Sequence, residues 1–295
     1  MANNNTRTDL AYERIPKQSG AGISYKEKRL GVCRLHSLYV STRAAARHCH
    51  CEKGTYHTLC LPPVTTLTVD EREEVISHVC ALLEEMAASL LNASGVCGRR
   101  ILLVGLGNRA NTPDALGPLL AERVRATAHL KKECADTLNA LACAEIAVLA
   151  PGVPAGSGMA STELVSAAVR QFKPELVLAV DALAARSFSR LASTVQITDT
   201  GITPGSGTGG KEARLNAATL GCPVLAVGVP TVTDSITLIN DTFASAGIKP
   251  PRAWCKRAAL TEACYICPPE VDIVIKRFVY ILSTAINRSF GIPAL

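Results

Sequence analysis

Four acidic residues between positions 114 and 234 lie at or just beyond the ends of apolar segments that have the composition of buried strands. They are Asp114, Asp181, Asp199 and Asp234. In open α/β sheets, functional sites form beyond the carboxyl ends of the strands. Two carboxyl groups held close together there share a proton, because like charges move their pKa values apart. One can then activate water while the other protonates a leaving group, which is the chemistry of a hydrolase.

Asp181 and Asp199 have different surroundings in the sequence. Asp181 ends the apolar segment ELVLAVD (175–181), and an acid beside such a core must be paired, hydrogen-bonded or functional. Asp199 begins the tripeptide DTG, which also occurs in pepsin-like aspartic proteases. Those enzymes are all-β, whereas this chain alternates strands and helices. The sequence therefore favours Asp199 as a turn former that hydrogen-bonds its own loop.

Asp114 lies in the segment NTPDALGP (111–118), which allows two interpretations. In the first, Thr112 caps a helix that begins at Pro113, and Asp114 is a first-turn acid that complements the helix dipole. In the second, the helix begins at Pro118 and Asp114 is exposed in the loop before it. Only the second leaves Asp114 free to act on a substrate.

Three other patterns have less support. GLGN (105–108) follows a strand, but Ala110 stands where a dinucleotide-binding motif requires its third glycine. The segment 47–60 holds three histidines and three cysteines, but their alternation on a predicted strand and their spacing fit no common zinc module. The sequence also lacks a G-x-S-x-G motif, so a serine-histidine-aspartate mechanism is not favoured.

Predicted strands and helices, which would position the four acids, alternate along the chain. Apolar segments predict strands at 101–107, 145–152, 175–181, 194–198 and 223–230. Helical spacing predicts helices at 70–92, 113–129, 160–172, 233–246 and 269–289. This alternation predicts an α/β fold, a mainly parallel (mixed) sheet with helices on both faces in a three-layer sandwich of the phosphorylase/hydrolase type. Short β-like segments are predicted within 28–62, and residues 1–22 are predicted to form a flexible arm.

Composition narrows the class of protein. The 295 residues are 48% hydrophobic, which is enough for a sizeable core. Aromatic residues make up only 4%, so stacking on nucleic-acid bases is not expected, and the net charge of +6 is spread along the chain. The apolar runs are too short to span a bilayer, and the polar start does not resemble a secretion signal. We therefore expect an intracellular protein whose cysteines are thiols.

Several longer segments carry a family resemblance. They are VGLGN…TPDALGP (104–118), APGVP (150–154), KPELVLAVDALAAR (173–186), TDTGITPGSGTGG (198–210) and LGCPVLAVGVPTVTD (220–234). Together with RTDLAYE (7–13) and PPEVDIVIKR (268–277), they resemble, in the same order, the germination proteases of spore-forming bacteria. The resemblance covers most of the chain and is weakest at 30–100 and 247–266.

The resemblance implies an endopeptidase that degrades the small acid-soluble proteins coating spore DNA when germination begins. It implies a fold similar to that of the hydrogenase-maturation proteases, a homotetramer, and a zymogen that removes its own short N-terminal segment. No cofactor, direct nucleic-acid contact or membrane is expected, and the location is the cytoplasm of the forespore or spore core. The two catalytic aspartates proposed for the family correspond to Asp114 and Asp181. A metal-assisted mechanism is an alternative, because the maturation proteases bind nickel through acids in similar places.

One departure from the family concerns a glutamate that follows the PGV loop. Ala160 stands in its place, and Glu163 lies three residues further on. Glu163 and Asp199 are therefore candidates for supporting roles. Two other functions stay open: a hydrogenase-maturation-type endopeptidase that senses a metal, and a non-enzymatic α/β module that binds nucleotides or DNA.

The N-terminal stretch RTDLAYER (7–14) resembles a substrate of the family. Those substrates are cut after an acid in a run of the form Thr/Ser-Glu-apolar-Ala-x-Glu, and residues 8–13 have this form with Asp as the first acid. We expect cleavage between Asp9 and Leu10. Residues 1–9 would then be a propeptide, and residues 10–295 a single α/β peptidase domain.

Overall fold

The computed structural model describes residues 8–14, 21–133, 143–205, 212–258 and 264–292. Within these ranges the strands are β1 (Ile23–Leu30), β2 (Cys33–Val40), β3 (Gly54–Cys60), β4 (Arg100–Gly105), β5 (Glu145–Leu149), β6 (Leu176–Ala185), β7 (Thr194–Thr198), β8 (Val224–Asp234) and β9 (Tyr265–Ile266). The helices are α1 (Arg43–His48), α2 (Val69–Leu91), α3 (Leu116–Ala121), α4 (Leu130–Glu133), α5 (Pro154–Ser157), α6 (Ser161–Phe172), α7 (Ala217–Leu220), α8 (Ser235–Ser245), α9 (Arg252–Ala258) and α10 (Val271–Ser289). No helix among these residues is long and apolar enough to cross a membrane.

The strands form one mixed sheet with the order β1-β2-β3-β7-β8-β6-β4-β5, and β9 adds to β8. Strands β5, β4, β6 and β8 run parallel to one another, as the alternation of strands and helices predicts. The other half is antiparallel, and β7 runs against both β8 and β3. The carboxyl end of β7 therefore lies at the opposite edge of the sheet from the carboxyl ends of β4, β6 and β8.

Two apolar layers cover the sheet. On one face, α2, α3 and α10 pack over the strands in the larger core. On the other face, α6 contributes Val165 and Val169 to a second core that also contains Leu10 from the N-terminal segment. Every residue of β8 is buried, and so is nearly all of β6, because these strands are central and covered on both faces. Their continuous apolar composition reflects this position.

The long helix α2 begins and ends close to its predicted limits, 70–92. Thr68 caps it, since its hydroxyl accepts the N–H of Glu71 while the Glu71 carboxylate accepts the N–H of Thr68 at 2.8 Å. Asn92 ends the helix in the left-handed conformation. Arg288 of α10 pairs with Glu73 at the surface of the α2–α10 contact.

The helix predicted at 113–129 is shorter than expected. The structure has a 3₁₀ turn at Thr112–Asp114 followed by α3, which ends at Ala121. Pro118 carries no N–H, so it cannot bond to the carbonyl of Asp114 four residues earlier. That carbonyl instead accepts the N–H of Asn108 at 3.1 Å. The proline thus separates Asp114 from the helix and leaves it in the preceding turn.

Helix α3 lies directly against the backbone of β4 and β6 because two glycines meet there. A Cβ atom added to Gly105 would lie 2.2 Å from the carbonyl oxygen of Gly117. One added to Gly117 would lie 2.2 Å from the carbonyl oxygen of Leu106 and 2.7 Å from that of Val180. This close approach fixes the turn that carries Asp114 beside Val180, the residue before Asp181 in β6.

The prediction of a flexible arm at 1–22 is wrong for residues 8–14. Leu10 is fully buried, Ala11 is 2% exposed, and a 3₁₀ turn follows at Ala11–Arg14. The segment packs over the sheet face that carries α6, because Leu10 enters the second core. Ala11 packs in a smaller cluster with residues of β2, α1 and β3. The rest of the predicted arm up to residue 20 lies outside the described residues.

Candidate active site

Asp181 lies within β6, which continues to Ala185 and so extends past the predicted strand end at this residue. It is only 2% exposed. Its carboxylate accepts the N–H of Ala182 at 2.9 Å and a backbone N–H from Gly205. Burial raises the pKa of Asp181 well above its usual range, and the neighbouring Asp114 carboxylate raises it further. Asp181 is therefore a buried acid that is stable in the protonated form.

Asp114 is half-buried in the turn between β4 and α3. The backbone reverses at Gly107, which has φ +114°, and a Cβ there would lie 2.1 Å from the carbonyl oxygen of Asp114. The N–H of Asn108 donates to the Asp114 carboxylate at 2.8 Å. Burial raises the pKa of Asp114 to about 6, although this hydrogen bond opposes the shift.

Asp114 and Asp181 lie at the same edge of the sheet, close enough for the charge of one to act on the other. β4 and β6 are parallel neighbours, and the N–H of Leu106 donates to the carbonyl of Val180 at 2.8 Å, just before Asp181. A cavity of about 160 Å³ opens beside Asp114 and is also lined by Ala182 and Gly205. Close like charges disfavour simultaneous ionisation, so the pair can hold one proton between them.

The N-terminal segment lies on the part of β6 that extends beyond β4, whose pairing ends at Val180. The N–H of Asp9 donates to the carbonyl of Ala184 at 2.8 Å, and the N–H of Ala184 donates to the Asp9 carboxylate at 2.9 Å. The Asp9 carboxylate is close enough to Asp181 to add to the rise in its pKa. The acid before the predicted cleavage point is thus held by the strand that carries Asp181.

A second acid anchors the other end of the segment. The Glu13 carboxylate accepts the N–H of Arg186 at 2.7 Å and that of Ser187 at 3.0 Å. It also accepts the hydroxyl of Thr8, which in turn accepts the N–H of Leu10 at 3.1 Å. The threonine and both acids of the substrate-like run are therefore bound through hydrogen bonds.

Gln196 on β7 is a site residue that sequence reasoning missed. It is 5% exposed, its Nε2 donates to the carbonyl of Asp9 at 3.2 Å, and its Oε1 accepts the N–H of Ala11 at 2.8 Å. The sequence could have indicated Gln196, because an amide side chain within the apolar segment TVQIT is expected to be buried and to need hydrogen-bond partners.

An open groove of about 960 Å³ adjoins the contact between Gln196 and the N-terminal segment, and it is lined by Asp9, Leu183 and Gln196. It has room for an extended peptide.

Asp199 does not join the pair. Because β7 is antiparallel to β8, Asp199 lies at the opposite edge of the sheet. Asp199 is three residues along β7 from Gln196, and Gln196 lies two strands across from Asp181, so Asp199 and Asp181 are roughly 14 Å apart. The Asp199 carboxylate accepts the N–H of Thr55 at 2.7 Å, so it supports the start of β3. The bonding predicted between Asp199 and its own loop falls partly on residues 206–211, outside the described ranges. The acid at the end of β8, Asp234, caps α8 by accepting the N–H of Thr237 at 3.1 Å.

Glu163 also lies apart from the two aspartates. It is exposed in the first turn of α6, where its carboxylate accepts the N–H of Ala160 at 3.3 Å. The acid bound to the buried Ser161 of this turn is Glu212, which accepts the Ser161 hydroxyl at 3.2 Å and the N–H of Thr162 at 3.1 Å. The hydrogen bonds of Asp199 and Glu163 described above thus go to residues other than Asp114 and Asp181, and the supporting roles predicted for these two acids stay predictions.

The histidines and cysteines of 47–60 are not arranged on one strand. Residues up to His48 belong to α1, Cys49 is buried, and β3 begins at Gly54, so the strand alternation predicted for 48–51 is wrong. Across the described parts of the chain, no three histidine, cysteine or acidic side chains lie close enough together to hold a metal ion.

A family model for germination proteases matches residues 2–246. The chain belongs to the germination protease family. It is 38% identical over 246 residues to the germination protease of Clostridium acetobutylicum, in an alignment covering 81% of this chain and 74% of that protein. It is also 38% identical to the germination protease of Bacillus subtilis, over 80% of this chain but only 65% of that protein. The germination protease of Clostridium tetani is 35% identical over 80% of this chain.

The family match includes the docked segment 8–14 and both aspartates, but it ends near the close of α8. Helix α10, whose start resembles the germination proteases at 268–277, lies beyond the matched residues. It nevertheless contributes Phe278, Ile281 and Leu282 to the larger core, each of them fully buried. This helix packs against α2, α3 and the turn that carries Asp114, so it is part of the fold that supports the site.

Proposed function

We propose that this member of the germination protease family is an endopeptidase made as a zymogen. It cleaves its own Asp9–Leu10 bond and then cuts small acid-soluble DNA-binding spore proteins at runs of the same form. The observation that supports this most is the docking of the substrate-like run 8–13 on β6, beside Asp181. Residues 1–9 are then the propeptide, and residues 10–295 the peptidase domain.

In the proposed reaction, Asp114 is the base and Asp181 the acid. A water molecule loses a proton to the Asp114 carboxylate and attacks the carbonyl carbon of Asp9. The tetrahedral intermediate breaks its bond to the nitrogen of Leu10, which receives a proton from the Asp181 carboxyl group. The immediate products are a new backbone carboxylic acid on Asp9 and an amine on Leu10. The new acid returns a proton to Asp181, and Asp114 passes its proton to the amine, so the pair regains its starting protonation. The step consumes one water molecule and needs no further reactant.

The two roles follow from the different surroundings of the two acids. Asp181 is fully enclosed and lies next to Asp114, so the charge of its ionised form is the more disfavoured. Asp114 has a pKa of about 6 and an N–H donor from Asn108, so it is the one that ionises near neutral pH. Location in the spore core and assembly into a homotetramer stay predictions from the family resemblance.

The proposal predicts a defined new N-terminus. Purified full-length chain, incubated at mildly acidic to neutral pH, is expected to lose Met1–Asp9, so that intact-mass spectrometry finds a chain starting at Leu10. The Asp70→Asn variant changes an exposed acid in the first turn of α2 and is expected to cleave like the wild type. A chain that stays whole, or that starts at another residue, would contradict the proposal.

The pH–rate profile of self-cleavage is expected to be bell-shaped. The rate should fall as the pH drops through about 6, because Asp114 becomes protonated and can no longer accept the water proton. The rate should fall again when the pH exceeds the raised pKa of Asp181, because the ionised carboxylate has no proton to give to the departing amine. Initial rates measured across this range test the assignment, and a rate that keeps rising well below pH 6 would refute Asp114 as the base.

A further inference from the structure

Gln196 makes a pair of contacts that straddle the proposed cleavage point. Its Nε2 donates to the carbonyl of Asp9 at 3.2 Å, which is the carbonyl of the bond to be cut. Its Oε1 accepts the N–H of Ala11 at 2.8 Å, two residues further on. The orientation of the amide is determined by its partners, because a carbonyl can only accept and a backbone N–H can only donate. The N–H of Gln196 must therefore face the Asp9 carbonyl.

The sheet register places Gln196 opposite Asp181. Asp181 on β6 pairs with Gly228 on β8, and Gly228 pairs with Gln196 on β7. Residues paired in this way project to the same face, and two strand spacings separate the Cα atoms of the outer two by about 10 Å. Gly228, between them, contributes no side chain. The N-terminal segment covers this face, with Leu10 packed in the same core as Leu183.

We propose that Gln196 is a catalytic residue that stabilises the oxyanion formed on the carbonyl of the cleaved bond. The inference rests on the proposed function, since it takes Asp9–Leu10 as the bond that is cut. When water attacks the Asp9 carbon, the carbonyl oxygen becomes negative and the hydrogen bond from Nε2 strengthens. Gln196 keeps its proton throughout, and the oxyanion collapses as the bond to Leu10 breaks. The same contacts would hold the backbone of a protein substrate.

The position of Gln196 suits this role. It projects from a central strand, is almost fully buried, and its Oε1 is already occupied, so little reorganisation is needed when charge develops. A donor already aimed at the reacting carbonyl stabilises the transition state more than the ground state, because the negative charge on the oxygen grows as the bond forms. The segment has other anchors, Asp9 on Ala184 and Glu13 on Ser187, so docking does not depend on Gln196 alone.

The test replaces Gln196 by methionine, which has a similar size but no N–H donor. The rate of self-cleavage of the full chain is measured by intact mass, and docking of 8–14 by hydrogen–deuterium exchange. We expect Gln196→Met to slow cleavage about 100-fold or more while the segment stays protected. Gln171→Met, at an exposed position of α6, is the matched control and should cleave at the wild-type rate. Gln196→Glu keeps the shape of the side chain and serves if the methionine variant does not fold, with the same loss expected at neutral pH.

Two outcomes would overturn the inference. One is a Gln196→Met chain that cleaves within a few-fold of the wild-type rate. The other is a loss of protection at 8–14 that matches the loss of rate, which would make Gln196 a residue that only holds the segment. If neither the wild type nor Gln171→Met cleaves, it is the proposed self-cleavage that fails, and this result is distinct from both.

Discussion

The Asp181→Asn variant is expected to stay uncleaved and to be more stable than the wild-type chain at neutral pH. Asparagine has nearly the same shape, and its one carbonyl oxygen can still accept the N–H of Ala182. It cannot give a proton to the departing amine. Removing a general acid costs about 10²–10⁴ in rate, so no chain starting at Leu10 should accumulate in the time the wild type needs.

The change in stability follows from the raised pKa of Asp181. Below the ordinary range for aspartate, the folded and unfolded chains are both protonated, and the group contributes nothing to the pH dependence. As the pH rises through that range, only the unfolded chain ionises, so unfolding becomes easier for the wild type. Asparagine removes this effect. The melting temperature of uncleaved Asp181→Asn should exceed that of uncleaved wild type at neutral pH, and the difference should shrink in acid.

Three results would count against this account of Asp181. One is a variant that still produces an N-terminus at Leu10. Another is equal melting temperatures for the two chains at neutral pH, which would mean that burial does not raise the pKa of this carboxyl group. The third is cleavage retained in both Asp181→Asn and Asp114→Asn, which would remove the two-aspartate mechanism altogether.

The second large effect is expected for Gly117→Ala. The added methyl would lie 2.2 Å from the carbonyl oxygen and 2.5 Å from the nitrogen of Leu106, and 2.7 Å from the carbonyl oxygen of Val180. All three are backbone atoms, because Leu106 directly follows β4 and Val180 lies in β6. Backbone atoms of a sheet cannot give way easily, so α3 must move away from the sheet. Overpacking of this kind costs about 3 kcal/mol of unfolding free energy. Because Asp114 lies in the turn just before α3, cleavage should slow as well.

Urea unfolding of the two uncleaved chains measures this cost. Gly95→Ala is the matched control, since a methyl group at Gly95 meets nothing within 4 Å and its backbone has no positive φ. It should change the unfolding free energy by less than about 1 kcal/mol. Equal stabilities for Gly117→Ala and Gly95→Ala would show that the approach of α3 to the sheet is not as close as the structure has it.

Much of the parallel half of the fold could be predicted from local sequence. Central strands are covered on both faces, so β6 and β8 consist of continuous apolar residues, and an acid within or after such a run stands out. This reasoning selected Asp181, and the parallel arrangement of β4 and β6 then brings Asp114 to the same edge. The limits of α2 were predictable because its cap is formed by neighbouring residues, Thr68 and Glu71.

The remaining features depend on contacts between residues far apart in the chain. Nothing in the segment TVQIT shows that β7 runs against β8, and this direction moves Asp199 away from the site. Polar composition predicted a flexible N-terminus, but Leu10 enters a core built by strands more than 80 residues away. Gln196 meets Asp9 across 187 positions. The spacing of apolar residues along a helix or strand determines which of its faces is buried. Which strand it pairs with, in which direction it runs and which residues surround it are decided only when the whole chain packs.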